Sequence, residues 1–130
     1  MASAVESWVR VQLLLRCLQH PEWELLIGGP AHDFVLLNTE TAERRTIEVK
    51  SRQAIPGWTR KRSNSSFGAG LWGDQAQANF LIFCWFDQER TYILPIQEMR
   101  LGHTNGRETR RRTFKLDNDP TLGAWERLFE

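Results

Sequence analysis

Residues 32–53 read HDFVLLNTETAERRTIEVKSRQ, and the way this stretch folds decides the rest. Residues 33–37 are an apolar run of strand length, and residues 46–50 alternate with period two, as a half-buried strand does. In the second run Thr46, Glu48 and Lys50 share one face, while Ile47 and Val49 share the other. With residues 38–43 as the connecting turn, Leu37 stands opposite Arg44, Val35 opposite Thr46 and Asp33 opposite Glu48. Directly opposed side chains of an antiparallel pair lie about 5 Å apart at Cβ. Two carboxylates therefore converge on one point, with the Lys50 ammonium beside them.

Like charges that close repel, so the arrangement calls for a shared proton or a cation. A hard divalent ion with oxygen ligands, Mg²⁺ above all and Mn²⁺ as its substitute, is the expected resident. A metal beside a lysine suits phosphodiester hydrolysis: the metal polarises a phosphoryl oxygen and lowers the pKa of water, and the amine holds that water or offsets developing charge. Asp33, then Glu48-Val49-Lys50 followed by Ser51-Arg52-Gln53, resembles the signature of the PD-(D/E)xK nuclease superfamily. Residues 47–52, IEVKSR, resemble the segment of small Holliday-junction-resolvase-like and homing endonucleases. The resemblance implies that Asp33, Glu48 and the Val49 carbonyl hold the metal. It also implies that Lys50 acts on the water and that Glu6 corresponds to a first-helix glutamate near the metal. Pro30 is separated from Asp33 by Ala31 and His32, whereas the family pattern places the proline next to the acid. An E-x-K on an exposed strand is also a common solvated ion pair, and Asp33 also suits a turn after Gly28-Gly29-Pro30.

Composition sets the outer limits. A chain of 130 residues with ordinary apolar and charged fractions is expected to form one soluble domain spanning residues 1–130, with one core. Arg10 and Arg16 interrupt the apolar N-terminal stretch, which excludes a signal peptide or membrane span and points to the cytoplasm. Cys17 and Cys84 sit in apolar runs and read as reduced core thiols. His20, His32 and His103 have no zinc spacing; His32 is either a turn histidine or a substrate contact. Net charge is only +1, yet the 17 basic residues are unevenly placed. Arg44, Arg45, Lys50, Arg52, Arg60, Lys61 and Arg62 cluster around one acid, and Arg107, Arg110, Arg111, Arg112 and Lys115 around another. Clustered cations are what phosphate contacts and counterion release require.

Helical spacing of Ala4, Trp8, Val11, Leu15 and Leu18 predicts a first helix ending before Pro21. A second stripe, Val9, Leu13 and Cys17, marks a helix covered on two sides. Residues 3–6 fit a capping box with Glu6 as its reaching member, so Glu6 carries two readings, cap and metal neighbour. Residues 22–27 read as a strand. Residues 54–73 are glycine-rich, basic and aromatic: residues 58–62 suit a ribbon and residues 63–70 a mobile loop. Trp58, Phe67 and Trp72 suit stacking or wedging, and Trp58 and Trp72 equally suit core anchors. Asp74 suits the cap of a short helical turn over residues 74–79. Residues 80–86, FLIFCWF, read as the most buried strand and the sheet centre, and residues 91–94 as the next. Pro95 opens a helical segment over residues 96–101, residues 102–106 turn, and residues 110–116 form a basic edge strand. Leu122, Trp125, Leu128 and Phe129 give a terminal amphipathic helix.

These readings combine into an α/β domain with a restriction-endonuclease-like αβββαβ core, a mixed sheet flanked by helices. The expected function is Mg²⁺-dependent DNA endonuclease. Asp33, Glu48 and Lys50 carry catalysis; Glu6 is auxiliary, and Gln53 is a substrate group or a plain surface side chain. Arg52, Arg60, Lys61, Arg62, Arg110, Arg111 and Arg112 are the candidate DNA contacts. Cutting two strands takes two sites, so a homodimer or higher oligomer is expected. The alternatives are a DNA-binding module with this fold and no turnover, and an assembly protein whose acids form ion pairs.

Overall fold

The computed structural model describes residues 2–29, 32–52 and 66–130. Helix α1 (Ala2–Cys17) is followed by β1 (Trp23–Ile27), β2 (Phe34–Asn38) and β3 (Arg44–Arg52). Next come β4 (Ser66–Trp72), β5 (Phe80–Trp85), β6 (Arg90–Pro95), β7 (Arg100–Thr104) and β8 (Arg107–Lys115). One sheet has the order β1-β2-β3-β5-β6, with β3 and β5 parallel and the other neighbours antiparallel. A second, antiparallel sheet has the order β4-β8-β7.

The hairpin that opens the structural argument is present in its expected register. Phe34 pairs with Ile47, Val35 with Thr46 and Leu37 with Arg44. The Asp33 N–H continues the ladder by donating to the Ile47 carbonyl at 3.1 Å. Asn38 caps the turn, its side-chain oxygen accepting from the N–H groups of Glu40 and Thr41.

The alternation of β3 sorts its side chains to two faces. Ile47 goes with Phe34, Leu36, Ile82, Cys84 and Ile93 into the core beneath α1, whose Val5, Val9 and Leu13 are buried there with Trp125, Leu128 and Phe129. The other face, which carries Leu81, Phe83, Trp85, Tyr92 and Leu94, is covered by the second sheet through Leu71 and Phe114. Phe83 stacks on Phe114 with ring centroids 4.8 Å apart.

Several expectations need correction. The sheet is mixed, but no α-helix follows β3 among the described residues: residues 73–77 make one 3₁₀ turn, and β4 does the covering. Residues 66–70, expected as loop, belong to β4, where Phe67, Ala69 and Leu71 alternate inward. Residues 100–104, expected as helix and turn, are β7, joined to β8 by Asn105 and Gly106 at φ of 53° and 79°. Two consecutive left-handed residues are the geometry an Asn-Gly hairpin turn requires. β5 is the most buried strand, yet β3 holds the centre. The terminal helix is a 3₁₀ turn, Trp125–Phe129. On α1 the stripe of Val9 and Leu13 is the core face, while Val11, Leu15 and Leu18 are exposed. The helix starts at Ala2, so Ser3 lies within it and not at its cap position. Cys17 and Cys84 are both free thiols, and burial pushes the Cys84 pKa up to about 12. Among the described residues no helix is long and apolar enough to cross a membrane.

Candidate active site

Asp33 is placed by a backbone crossing. The Gly28 N–H donates to the Asp33 carbonyl at 3.0 Å, and a Cβ on Gly28 would stand 2.1 Å from the His32 carbonyl oxygen. Only glycine allows the chain leaving β1 to touch the chain entering β2 there. The Asp33 side chain is then fixed by the Val49 N–H, which donates to Oδ2 at 2.8 Å. In an extended strand the N–H and C=O of one residue point to the same side, so the Val49 carbonyl is turned toward the Asp33 side of β3.

Glu48 comes from the buried middle of β3, and its side chain is 6 % exposed. The strand is held against β5 by Asn79, whose side-chain oxygen accepts from the Thr46 N–H at 2.8 Å and whose own N–H donates to the Thr46 carbonyl at 3.0 Å. His32 Nδ1 lies 3.4 Å from Glu48 Oε1. Burial pushes the Glu48 pKa up to about 7, and the Asp33 charge adds to it. Lys50 pulls the other way, and a hydrogen bond with Asp33 and the Glu6 charge raise it further. The two acids thus meet as the register requires, close enough to share a proton.

Glu6 is the third acid. Its pKa is raised by desolvation, by the Asp33 charge and by a hydrogen bond with the Asp33 side chain. It therefore stands within reach of the Asp33 carboxylate. A cleft of about 390 Å³ opens over the pair, lined by Gly29, His32, Asp33, Glu48, Trp72, Asp74 and Gln75. Asp74 sits inside the 3₁₀ turn instead of capping it, and it forms the opposite wall with Gln75. Sequence reasoning did not place Asp74 or Gln75 here, because the approach of residues 72–75 to β2 and β3 depends on β4 being a strand. Among the described residues no group of three or more His, Cys, Asp or Glu side chains is arranged to hold a metal ion. What the cleft offers is an open pair of carboxylates.

The fold is shared with a bacterial homing endonuclease. The superposition on that enzyme, I-Ssp6803I, has a TM-score of 0.52 at 14% identity and covers 97% of this chain and 91% of the other. No family model and no curated protein matches the sequence.

Within this endonuclease-like fold the candidate DNA contacts divide. Arg52 lies flat over Phe67 and Trp85, with its guanidinium carbon 4.1 Å and 5.3 Å from the two ring centroids. Arg110 and Arg112 both have partners within the fold. Arg110 donates to the carbonyls of Gln97 and Met99, and Arg112 makes a two-pronged pair with Asp119 at 3.0 and 2.9 Å. Arg111 is exposed beside Trp72. Of the aromatic candidates, Phe67 is packed on Phe83, while Trp72 is exposed at the cleft. Gln53, Trp58, Arg60, Lys61 and Arg62 lie outside the described residues.

Proposed function

We propose that the chain is a metal-dependent DNA endonuclease of the PD-(D/E)xK type, acting as a homodimer or higher oligomer. The observation that carries this reading is the meeting of Asp33 and Glu48 across the β2–β3 register, with Lys50 two residues along the same face. The fold it shares with a homing endonuclease supports DNA as the substrate.

The donor set fits Mg²⁺ or Mn²⁺. It is all oxygen, from Asp33, Glu48 and the Val49 carbonyl, and Mg²⁺ is commonly held by one or two carboxylates plus substrate phosphate. Burial first and the Asp33 charge second raise the Glu48 pKa, and a bound cation would offset both. A bound ion would polarise the scissile phosphate and acidify water.

The chain's own groups supply the rest. Asp33 is immobilised by the Val49 N–H, so its free oxygen keeps a fixed direction. His32 and Asp33 keep the Glu48 carboxyl oriented. Lys50 holds the attacking water, which gives up a proton to solvent as its oxygen bonds to phosphorus, and offsets the charge that develops. One P–O ester bond breaks, and the departing sugar oxygen takes up a proton from solvent. Glu6, which feels the Asp33 charge, is an auxiliary group here, and Gln53 is kept as a second on the sequence pattern alone.

The test is plasmid nicking in Mg²⁺. Wild type converts supercoiled to open and linear DNA, while Lys50→Ala and Glu48→Ala each lose about 10²-fold or more in rate. Equal rates in all three proteins reject the site. DNA binding without any cutting by wild type leaves a binding module.

A further inference from the structure

The outer face of the second sheet is basic in a way the fold does not use. Arg100 on β7 and Arg111 on β8 are directly paired in register. Like charges opposed across a sheet are destabilising, and among the described residues neither is bridged to a carboxylate. The arginines that do have acid partners are Arg45, Arg90, Arg110, Arg112 and Arg127. Alternation along β8 puts Arg107 and Lys115, both exposed, on the same outer face as Arg111.

Beside this row the surface is hollow. β4 contributes Gly68 and Gly70, register partners of Thr113 and Arg111, to a trough of about 670 Å³ that Trp72 and Arg100 also line. Side chains at both glycines would fill its floor; at Gly70 a Cβ would press the Trp72 ring at 3.3 Å. The one acid on the trough, Glu98, is neutralised by Arg127. Trp72 lines both this trough and the cleft over Asp33 and Glu48, so a polyanion lying in the trough leads straight into the carboxylate pair.

We propose that this outer face of β4, β8 and β7 is the docking surface for double-stranded DNA, with Arg100 and Arg111 as its central phosphate clamp. The inference rests on the nuclease reading for its substrate class. Strands about 4.8 Å apart make the β7–β8 ribbon narrow enough for a major groove about 12 Å wide. Among the described residues this face has one exposed ring, Trp72, which favours duplex over single strand, as the latter is bound on successive stacking platforms.

The experiment is fluorescence anisotropy with a short random-sequence duplex in EDTA, from about 50 to about 200 mM salt. The charge-reversal double variant Arg100→Glu/Arg111→Glu weakens binding at least about tenfold and lowers the log–log salt slope by about two. Gly68→Glu is the second variant, because a Cβ there meets nothing within 4 Å and so adds charge to the trough without disturbing packing. It weakens binding in the same direction. Unchanged affinity and slope in both surface variants overturn the proposal, as does a wild-type preference for single strands of the same length. Because EDTA removes cleavage from the readout, duplex binding without Mg²⁺-dependent cutting rejects the nuclease reading and keeps the docking face.

Discussion

Glu48 and Asp119 are both buried acids, and their surroundings send them in opposite directions. Glu48 is raised from an ordinary 4.5 to about 7 by burial first and the Asp33 charge second. Its native form therefore holds a proton that the unfolded chain releases, and its contribution to stability is full below 4.5 and lost as pH rises through 7. At pH 8 the buried ionised group costs on the order of 3 kcal/mol. Glu48→Gln should thus raise Tm at pH 8 in EDTA and change it little at pH 4, measured by thermal melting; a lower Tm at pH 8 contradicts the assignment. Asp119 is buried too, which alone would raise it, but Arg112 and the N–H groups of Thr121 and Lys115 bring it from 3.8 to about 2. That stability is present above 3.8 and lost as pH falls through 2, on the order of 2 kcal/mol. Asp119→Ala, which strands Arg112, should cost roughly 3 kcal/mol in urea unfolding at pH 7.

At the scale of elements, the site depends on two short connections. The Gly28 crossing places Asp33, and adding one methyl there forces the His32 backbone away. Gly28→Ala should leave duplex binding intact while lowering cleavage about 10²-fold, since a shift near 1 Å at a reacting group has that effect. The β2–β3 pair was legible because its clues are local: an apolar run, a polar turn and the alternation of Thr46 to Lys50 fix one register, and that register brings Asp33 to Glu48. β4 was not legible for the opposite reason. Gly68 and Gly70 read as loop residues, although Phe67, Ala69 and Leu71 carry a period of two that becomes visible only against Arg110, Arg112 and Phe114 on β8. The Asn105-Gly106 signal was present, but Pro95 drew residues 96–101 toward a helical reading, and β7 was lost with it. Charge alone does not reveal that Arg110 and Arg112 have Gln97, Met99 and Asp119 within reach.

Across the whole molecule, the five-stranded sheet divides the labour between its faces. One side is sealed by α1 and the terminal turn. The other is covered by the second sheet, with the acid cleft opening where β4 gives way to residues 73–75. The carboxylate pair is therefore held on rigid strands, in a cleft continuous with a basic surface, and it is short of positive charge. The central claim is that the missing charge is a divalent cation. Calorimetric titration of Mn²⁺ into wild type, Asp33→Asn and Glu48→Gln at pH 8 tests it most directly. Wild type should bind saturably, and each variant at least about tenfold more weakly. Equal Mn²⁺ affinity in all three proteins, or no binding by wild type, would contradict it.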